Sequence, residues 1–374
     1  MNEPDPVVRA HSFDEWTRLR EVVVGRADHY TEHDVDTSWS LFYFENVAPV
    51  LGDTGRGLLP IPGQLVDELN EDIAGLADAL AGCGVRVLRP AAPGKGVDIA
   101  SPLWTARATP PLNVRDQTII LGTTIVETAP HVRSRIFEND SLKPIFSRYY
   151  TGGSNWLAMP RPALARDSLD DAYFRRQGCD VSRATDGDTT LGIDGLGLEM
   201  VFDGAQCVRL GRDVLVNVAN HNHELALRWL ILNFPDLRFH RLDSMADNHI
   251  DSIVVPLRPG LMLLRSPKFL PYLPAAMRSW EAIYPPDAAG AEPDYSDFGF
   301  VIPTASRYID INVLSVDENT VVVNALYPEL VRLLEQRGFT VVPVRHRHRR
   351  LFAGGFHCFT LDSVRDGGRH DYLG

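Results

Sequence analysis

Leu80-Ala81-Gly82-Cys83-Gly84-Val85-Arg86-Val87 and Leu334-Glu335-Gln336-Arg337-Gly338-Phe339-Thr340-Val341 read as the same sentence written near opposite ends of the chain. Each is the end of an amphipathic helix, a glycine stop and a short apolar strand. Working outward, the first belongs to a unit with a strand at Arg20–Gly25 and a helix whose face is Leu65, Leu69, Ile73, Leu76 and Leu80. The second ends a unit over Asp310–Val344, with a hairpin around Asp317-Glu318-Asn319 and a helix from Pro328 to Arg337. Three similar units are expected between them. One has apolar runs joined at Gly122-Thr123-Thr124 and a helical stretch over Arg133–Tyr150. Another has strands flanking Gly211-Arg212-Asp213 and a helix over about Glu224–Asn233. The last has strands either side of Arg258-Pro259-Gly260 and a helix over Tyr272–Ala282. A ββαβ unit cannot bury its faces alone, so five of them point to radial or stacked closure. The rival is an open doubly wound α/β sheet, but no G-x-G-x-x-G follows a strand.

The connecting stretches 29–62 and 160–197 read as long loops, and no linker divides the units. The expectation is a polar N-terminal tail, 1–15, and one catalytic domain, 16–374. Composition, 44% hydrophobic and 23% charged, is that of a globular protein with a sizeable core. A net charge of −12 argues against nucleic acid as a partner and suits a cationic small substrate. The N-terminus lacks the apolar segment of a signal peptide and no run is long enough for a membrane span, which predicts a cytoplasmic protein with no membrane partner. Four cysteines lie far apart, so neither a disulfide framework nor a zinc site is suggested.

Of those cysteines, Cys83, Cys179 and Cys207 read as small buried hydrophobes. Cys358 sits in Gly354-Gly355-Phe356-His357-Cys358, where paired glycines allow close backbone approach and positive φ. It is either a buried hydrophobe or a nucleophile, and a nearby imidazolium would favour the thiolate. Asp203 ends the apolar run Met200-Val201-Phe202, read as a strand, where a carboxylate needs a partner such as a histidine. His249 and Asp251, two apart, would share a strand face. Asp116 opens the apolar strand Gln117–Gly122, a position where aspartate is also simply common. The basic run Arg345–Arg350, taken as a strand, aligns Arg345, Arg347 and Arg349 on one face. That makes it a solvated edge or a patch for an anionic group on a substrate.

Several ordered motifs carry a resemblance: Glu21-Val22-Val23-Val24-Gly25-Arg26, Val132–Glu138, Phe202-Asp203 followed by Gly211-Arg212-Asp213, His249-Ile250-Asp251, and the Cys358 loop. In order and over nearly the whole chain, the sequence resembles the amidinotransferases, which include the glycine and inosamine-phosphate enzymes. The resemblance implies a pentein fold, a five-bladed α/β propeller with pseudo-fivefold symmetry. It implies Cys358 as nucleophile, His249 as general acid/base and Asp203 as its orienting partner, with Asp116 and Asp251 binding a guanidinium. The implied reaction is ping-pong transfer from L-arginine, through an amidino-cysteine, to an amine acceptor, releasing ornithine and needing no cofactor or metal. Family members are often homodimers; the chain itself leaves this open.

Against glycine-type members, Asn248 precedes His249 where they carry Met, Ala305-Ser306 replaces a Ser pair, and Lys268 stands where an arginine is expected. Asn248, Ser306 and Lys268 are therefore expected on the acceptor side, with an acceptor other than glycine. An Ala/Arg/Asp-rich composition suggests a high-GC bacterium and secondary metabolism such as antibiotic biosynthesis. The alternatives are an arginine-deiminase-like hydrolase and a non-catalytic pentein that only binds.

Overall fold

The computed structural model describes residues 8–43, 57–92, 94, 96–170, 197–286, 295–298 and 303–374. Within it one pattern recurs five times: two strands pair antiparallel, and a third returns parallel to the second. In the first blade the C-terminal strand Thr360–Arg365 pairs antiparallel with Leu19–Val24, and Arg86–Leu88 lies parallel on the other side. The second blade is Thr118–Leu121, Thr124–Glu127 and Asn155–Ala158. The third is Cys207–Leu210, Asp213–Val218 and Arg238–Asp243. Val254–Arg258, Leu261–Leu264 and Glu281–Ile283 make the fourth, and Leu314–Asp317, Thr320–Asn324 and Thr340–Val344 the fifth. The first blade is thus closed by strands from both ends of the chain.

The two similar stretches, Leu80–Val87 and Leu334–Val341, form the same hydrogen-bonded turn. The helix Gly63–Gly82 stops where Val85 N–H donates to Leu80 O and Gly84 N–H to Ala81 O, with Gly84 at φ +76°. At the end of Pro328–Gln336, Phe339 and Gly338 bond back to Leu334 and Glu335 in the same way, with Gly338 at φ +84°. Both are Schellman stops, which need a left-handed residue and favour glycine there. Leu65, Leu69, Ile73, Leu76 and Leu80 are all buried, as their spacing predicts.

Five apolar clusters close the ring, because each joins one blade to the next. Val23 and Leu361 meet Ile120, Ile125 and Phe146 between blades one and two. Ile119, Leu121 and Val126 meet Cys207, Val214 and Val216 between two and three. Next, Val208, Leu210 and Leu215 share a cluster with Val254, Met262 and Leu264. Val255, Leu257 and Leu263 do so with Val313, Val321 and Val323. Leu314, Val316 and Val322 then return to Leu19, Val22 and Val24. Both faces of each sheet are covered, which is why the strands are apolar almost throughout. The fold is the pentein α/β propeller.

Several expectations are corrected. The helix expected over Tyr272–Ala282 is instead two 3-10 turns, Pro267–Tyr272 and Met277–Ser279, running into strand Glu281–Ile283. Pro271 and Pro274 deny an α-helix its backbone donors. In Arg133–Tyr150 only Lys143–Thr151 is α-helical, after 3-10 turns at Arg133–Arg135 and Glu138–Ser141; Pro144 sets its first turn. Stretch 29–62 is not all loop, holding the hairpin Glu32–Val35/Gly57–Pro60 and the helix Thr37–Phe42, capped by Asp36. Residues 44–56 and 171–196, with Cys179, lie outside the described residues. Cys207 is buried and Cys83 half-buried.

Residues 8–15 are no loose tail. Ala10, Ser12 and Asp14 are fully buried, and the segment bridges to blades one, two and three. Its Glu15 enters a buried charge network with Arg209, Asp362, Arg115 and Arg365.

The basic run is not a strand, and its ion pairs are made within the chain. Arg345 and Arg347 pair with Asp72, Arg347 also with Glu71, and His348 with Glu68, all on one face of the helix Gly63–Gly82. Arg349 pairs with buried Asp310. Surface pairs of this kind contribute little singly, but Asp72 and Asp310 are buried and would be costly without their partners. The run clamps the approach to Cys358. Among the described residues no helix is long and apolar enough to cross a membrane.

Candidate active site

Every blade's first antiparallel strand is preceded by a short non-strand segment, and the candidate residues sit on these. Asp116 lies two residues before Thr118–Leu121, Asp203 four before Cys207–Leu210, and His249 and Asp251 just before Val254–Arg258. Cys358 lies two before Thr360–Arg365. The strand placements expected for Asp203, His249 and Asp251 are corrected accordingly: Asp203 caps the 3-10 turn Gly204–Gln206, His249 lies in irregular backbone and Asp251 in the turn that follows. The fifth blade contributes Asn312, two residues before Leu314–Asp317, which motif reading missed. Its signal was positional, since it occupies the place the other four blades use.

Asp116, His249, Asp251 and Cys358 line one cleft of about 700 Å³, together with Asn248 and Ser306. Asn312 Oδ1 accepts from the Cys358 N–H at 2.9 Å, and Asn312 Nδ2 donates to Asp251 O. This explains the glycine pair: a Cβ on Gly355 would sit 2.7 Å from Asn312, and one on Gly354 would sit 2.4 Å from Asn113. Close approach to these two asparagines is what the glycines permit, since neither has positive φ.

Cys358 Sγ lies 3.4 Å from Asp251 Oδ2. Burial, then Asp251 and Asp116, push its pKa well above that of a free thiol. His249 Nε2 donates to Asp203 Oδ2 at 2.9 Å, and its Nδ1 is 3.8 Å from Asp116 Oδ1. Burial disfavours the imidazolium, but Asp116, Asp203 and Asp251 outweigh it and raise the pKa to about 9. Burial likewise disfavours the Asp203 carboxylate, yet His131 and His249 hold it below the ordinary range. Asp116 is raised by burial despite His249 and Arg135; Asp251, which His357 Nδ1 contacts at 2.7 Å, is lowered against its own burial.

Arg135 donates to Asp116 Oδ2 at 2.8 Å, leaving Asp116 Oδ1 buried with no hydrogen bond of ordinary geometry among the described residues. Asp251 Oδ1 is in the same state. Ligating atoms of Asp116, Asp203 and His249 come within 4.8 Å of one another, and the two carboxylates favour the imidazolium of His249 between them.

Of the acceptor-side candidates, Asn248 is on the cleft wall but spends its side chain locally, donating to Phe42 O at 2.7 Å and accepting from His249 N. Ser306 is there too, its Oγ accepting from Tyr308 N at 3.3 Å. Lys268 is not brought in: it is exposed, its ammonium 4.8 Å from the Phe269 ring centroid. The cation on the described wall is Arg265, fixed by donating to Ser252 O and Oγ at 3.1 and 3.0 Å.

No family model matches the chain. It is 33% identical over 363 residues to inosamine-phosphate amidinotransferase 1 of Streptomyces griseus, covering 96% of this chain and 97% of that one. It is 28% identical over 373 residues to the L-arginine:L-lysine amidinotransferase of Pseudomonas savastanoi pv. phaseolicola, covering 97% and 96%. Among solved structures, an inosamine-phosphate amidinotransferase of Streptomyces griseus matches with a TM-score of 0.80 at 30% identity, over 97% of this chain and 99% of that one. With the pentein fold and near-complete coverage in both directions, the chain belongs to the amidinotransferases, enzymes that move an amidino group from a donor to an amine acceptor.

Proposed function

We propose that the donor is L-arginine, that its amidino group is carried on Cys358, and that the acceptor is a small-molecule amine other than glycine. One observation carries the reading: Asp116 Oδ1 and Asp251 Oδ1 are buried carboxylate oxygens without a hydrogen bond, on the walls around the Cys358 thiol. A guanidinium is planar, permanently charged and rich in donors, so it would satisfy both. Arg265, across the same cleft, suits the donor's α-carboxylate.

Charge then orders the steps. With the cleft empty, the two aspartates hold Cys358 as a thiol. A bound guanidinium neutralises them, the thiol proton passes to solvent at the cleft mouth, and a thiolate faces the imidazolium of His249; the proton is taken back from solvent when the product leaves. The thiolate adds to the guanidinium carbon, forming the C–S bond. His249 gives its proton to the departing nitrogen as the C–N bond breaks. Ornithine leaves with that proton, and an amidino-cysteine faces neutral His249. The acceptor amine attacks the same carbon, His249 takes its proton, and the C–S bond breaks to restore thiolate and imidazolium. Asp203 orients His249 through its Nε2. Water must stay out, and Phe42, 5.2 Å centroid to centroid from the His249 ring, covers this side.

Arginine as donor is in keeping with the name of the arginine:lysine relative, and an acceptor other than glycine with the names of both that enzyme and the inosamine-phosphate enzyme; a role in secondary metabolism is part of the same proposal. The test is product analysis with L-arginine and a panel of amines, including lysine and amino-cyclitols. The expected outcome is ornithine plus a guanidinylated amine, lost in Cys358→Ala. Transfer that persists in Cys358→Ala would refute the covalent route.

A further inference from the structure

Asp203 has a second histidine, on the side away from His249. His131 Nδ1 lies 3.1 Å from Asp203 Oδ1, in ion-pair range with its N–H aimed off the oxygen, while His249 holds Oδ2. Behind it, His131 Nε2 is 2.9 Å from His223 Nε2. The backbone donor at Ala219 points at His223 Nδ1, 3.2 Å away. His223 Nδ1 accepts from that N–H, and its Nε2 faces His131 Nε2 and, at 3.3 Å, the Asn220 side-chain nitrogen. Burial, then His131, hold the His223 pKa well below that of an ordinary imidazole.

The two rings are built in. His223 is buried in the first turn of the helix His221–Asn233, whose N-cap Asn220 accepts from the His223 N–H. His131 follows the second blade's strand Thr124–Glu127, and the aromatic ring of Phe42 stands 5.2 Å from both His131 and His249. Gln117 Nε2 adds a weaker contact to Asp203 Oδ1 at 3.4 Å. The carboxylate is therefore approached from blades two and four at once.

We propose that His131 and His223 form a positioning dyad, in which His131, backed by His223, fixes the plane of the Asp203 carboxylate so that Oδ2 stays aligned with His249. The dyad touches neither the reacting carbon nor the thiol, so neither residue is catalytic. The inference rests on the proposed role of Asp203 and His249, and its test separates the two.

The readout is single-turnover ornithine release from L-arginine with no acceptor added, measured against arginine concentration. His131→Leu is expected to slow the limiting rate roughly ten- to hundredfold, the equivalent of one hydrogen bond to a charged group, with the half-saturating arginine concentration little changed. His131→Asn, whose amide nitrogen stands near the place of Nδ1, should recover most of the loss. His223→Leu should be milder, and the double Leu variant no slower than His131→Leu, because His223 acts only through His131. A His131→Leu rate equal to that of the unmodified chain, equal losses for Leu and Asn, or additive losses would overturn the dyad. Should His131→Leu not fold, His223→Gln, which keeps an Nε2 donor, must outpace His223→Leu. Asp203→Ala is run alongside: if it slows release and His131→Leu does not, the dyad alone fails; if it has no effect, the role of Asp203 fails too.

Discussion

Glu15, Arg115, Arg209, Asp362 and Arg365 form one buried charge cluster; Asp116, Asp203, Asp251, His249 and Cys358 form another. His357 joins them, with Nδ1 at 2.7 Å from Asp251 and Nε2 at 3.2 Å from Glu15. The first cluster is at electrostatic rest. Arg209 spans Glu15 and Asp362, and Arg115 and Arg365 also hold Asp362. Despite burial, Glu15 and Asp362 are held well below the usual carboxylate range by these arginines, and Arg209 is raised by the same carboxylates. In the second cluster burial wins at two places: Asp116 and Cys358 are both pushed toward their neutral forms. Both clusters are buried and both hold several carboxylates, so what marks a site is charge left unsatisfied. The first cluster is a plug that ties blades one, two, three and five together; the second leaves Asp116 Oδ1 and Asp251 Oδ1 buried without a hydrogen bond among the described residues.

Breaking the plug should give the largest loss of stability. Arg209→Met leaves two buried carboxylates short of a partner and is expected to cost about 3–5 kcal/mol in urea unfolding, whereas Asp116→Asn, at a carboxyl already pushed toward its neutral form, should cost under about 1 kcal/mol. Equal costs would erase the distinction. Next in size, Asp116→Asn should lower kcat/KM for arginine by roughly 10²–10³, the scale of one lost electrostatic contact to developing or bound charge, with stability unchanged or slightly raised. A stability loss matching the activity loss would mean that Asp116 is structural.

The third expectation concerns pH. His249 is raised to about 9 from an unfolded value of about 6.5, so its ion pairs contribute stability that is full below about pH 6.5 and lost as pH rises through 9. Unfolding free energy should therefore fall by on the order of 2 kcal/mol across that window, and His249→Gln should flatten the fall. An unchanged slope in the variant would place the titration elsewhere. The smallest effect sharpens the comparison most: Asp116→Asn removes a negative charge near Cys358, so its thiol pKa should drop. Iodoacetamide should then label the Cys358 peptide several-fold faster at pH 8, while turnover falls. Slower labelling would contradict the electrostatic account of the thiol.

Much of this was legible in the sequence, for identifiable reasons. The blades repeat because each needs its neighbours, so Leu80–Val87 and Leu334–Val341 keep the same Schellman stop. The chemistry-bearing residues could be found because each sits just ahead of an apolar strand. Their backbone could not: Asp203 and His249 border apolar runs and read as strand, yet Asp203 caps a 3-10 turn behind the cleft and His249 reaches the cleft from irregular backbone. Long-range pairing was equally hidden. The partners of Arg345 and Arg347 lie on the helix Gly63–Gly82, far away in sequence, and only the closed ring brings Asp72 to them. Sequence register placed Lys268 where the fold puts Arg265, since the 3-10 turn Pro267–Tyr272 carries the lysine outward. His131 and His223 offered no local signal, because their meaning depends on meeting Asp203.

The most direct test of the central claim is intact-mass spectrometry of the protein mixed with L-arginine and no acceptor. The account requires a gain of one amidino group on the peptide carrying Cys358, with one equivalent of ornithine released. Citrulline without a trapped adduct, or an adduct on any other residue, would contradict it.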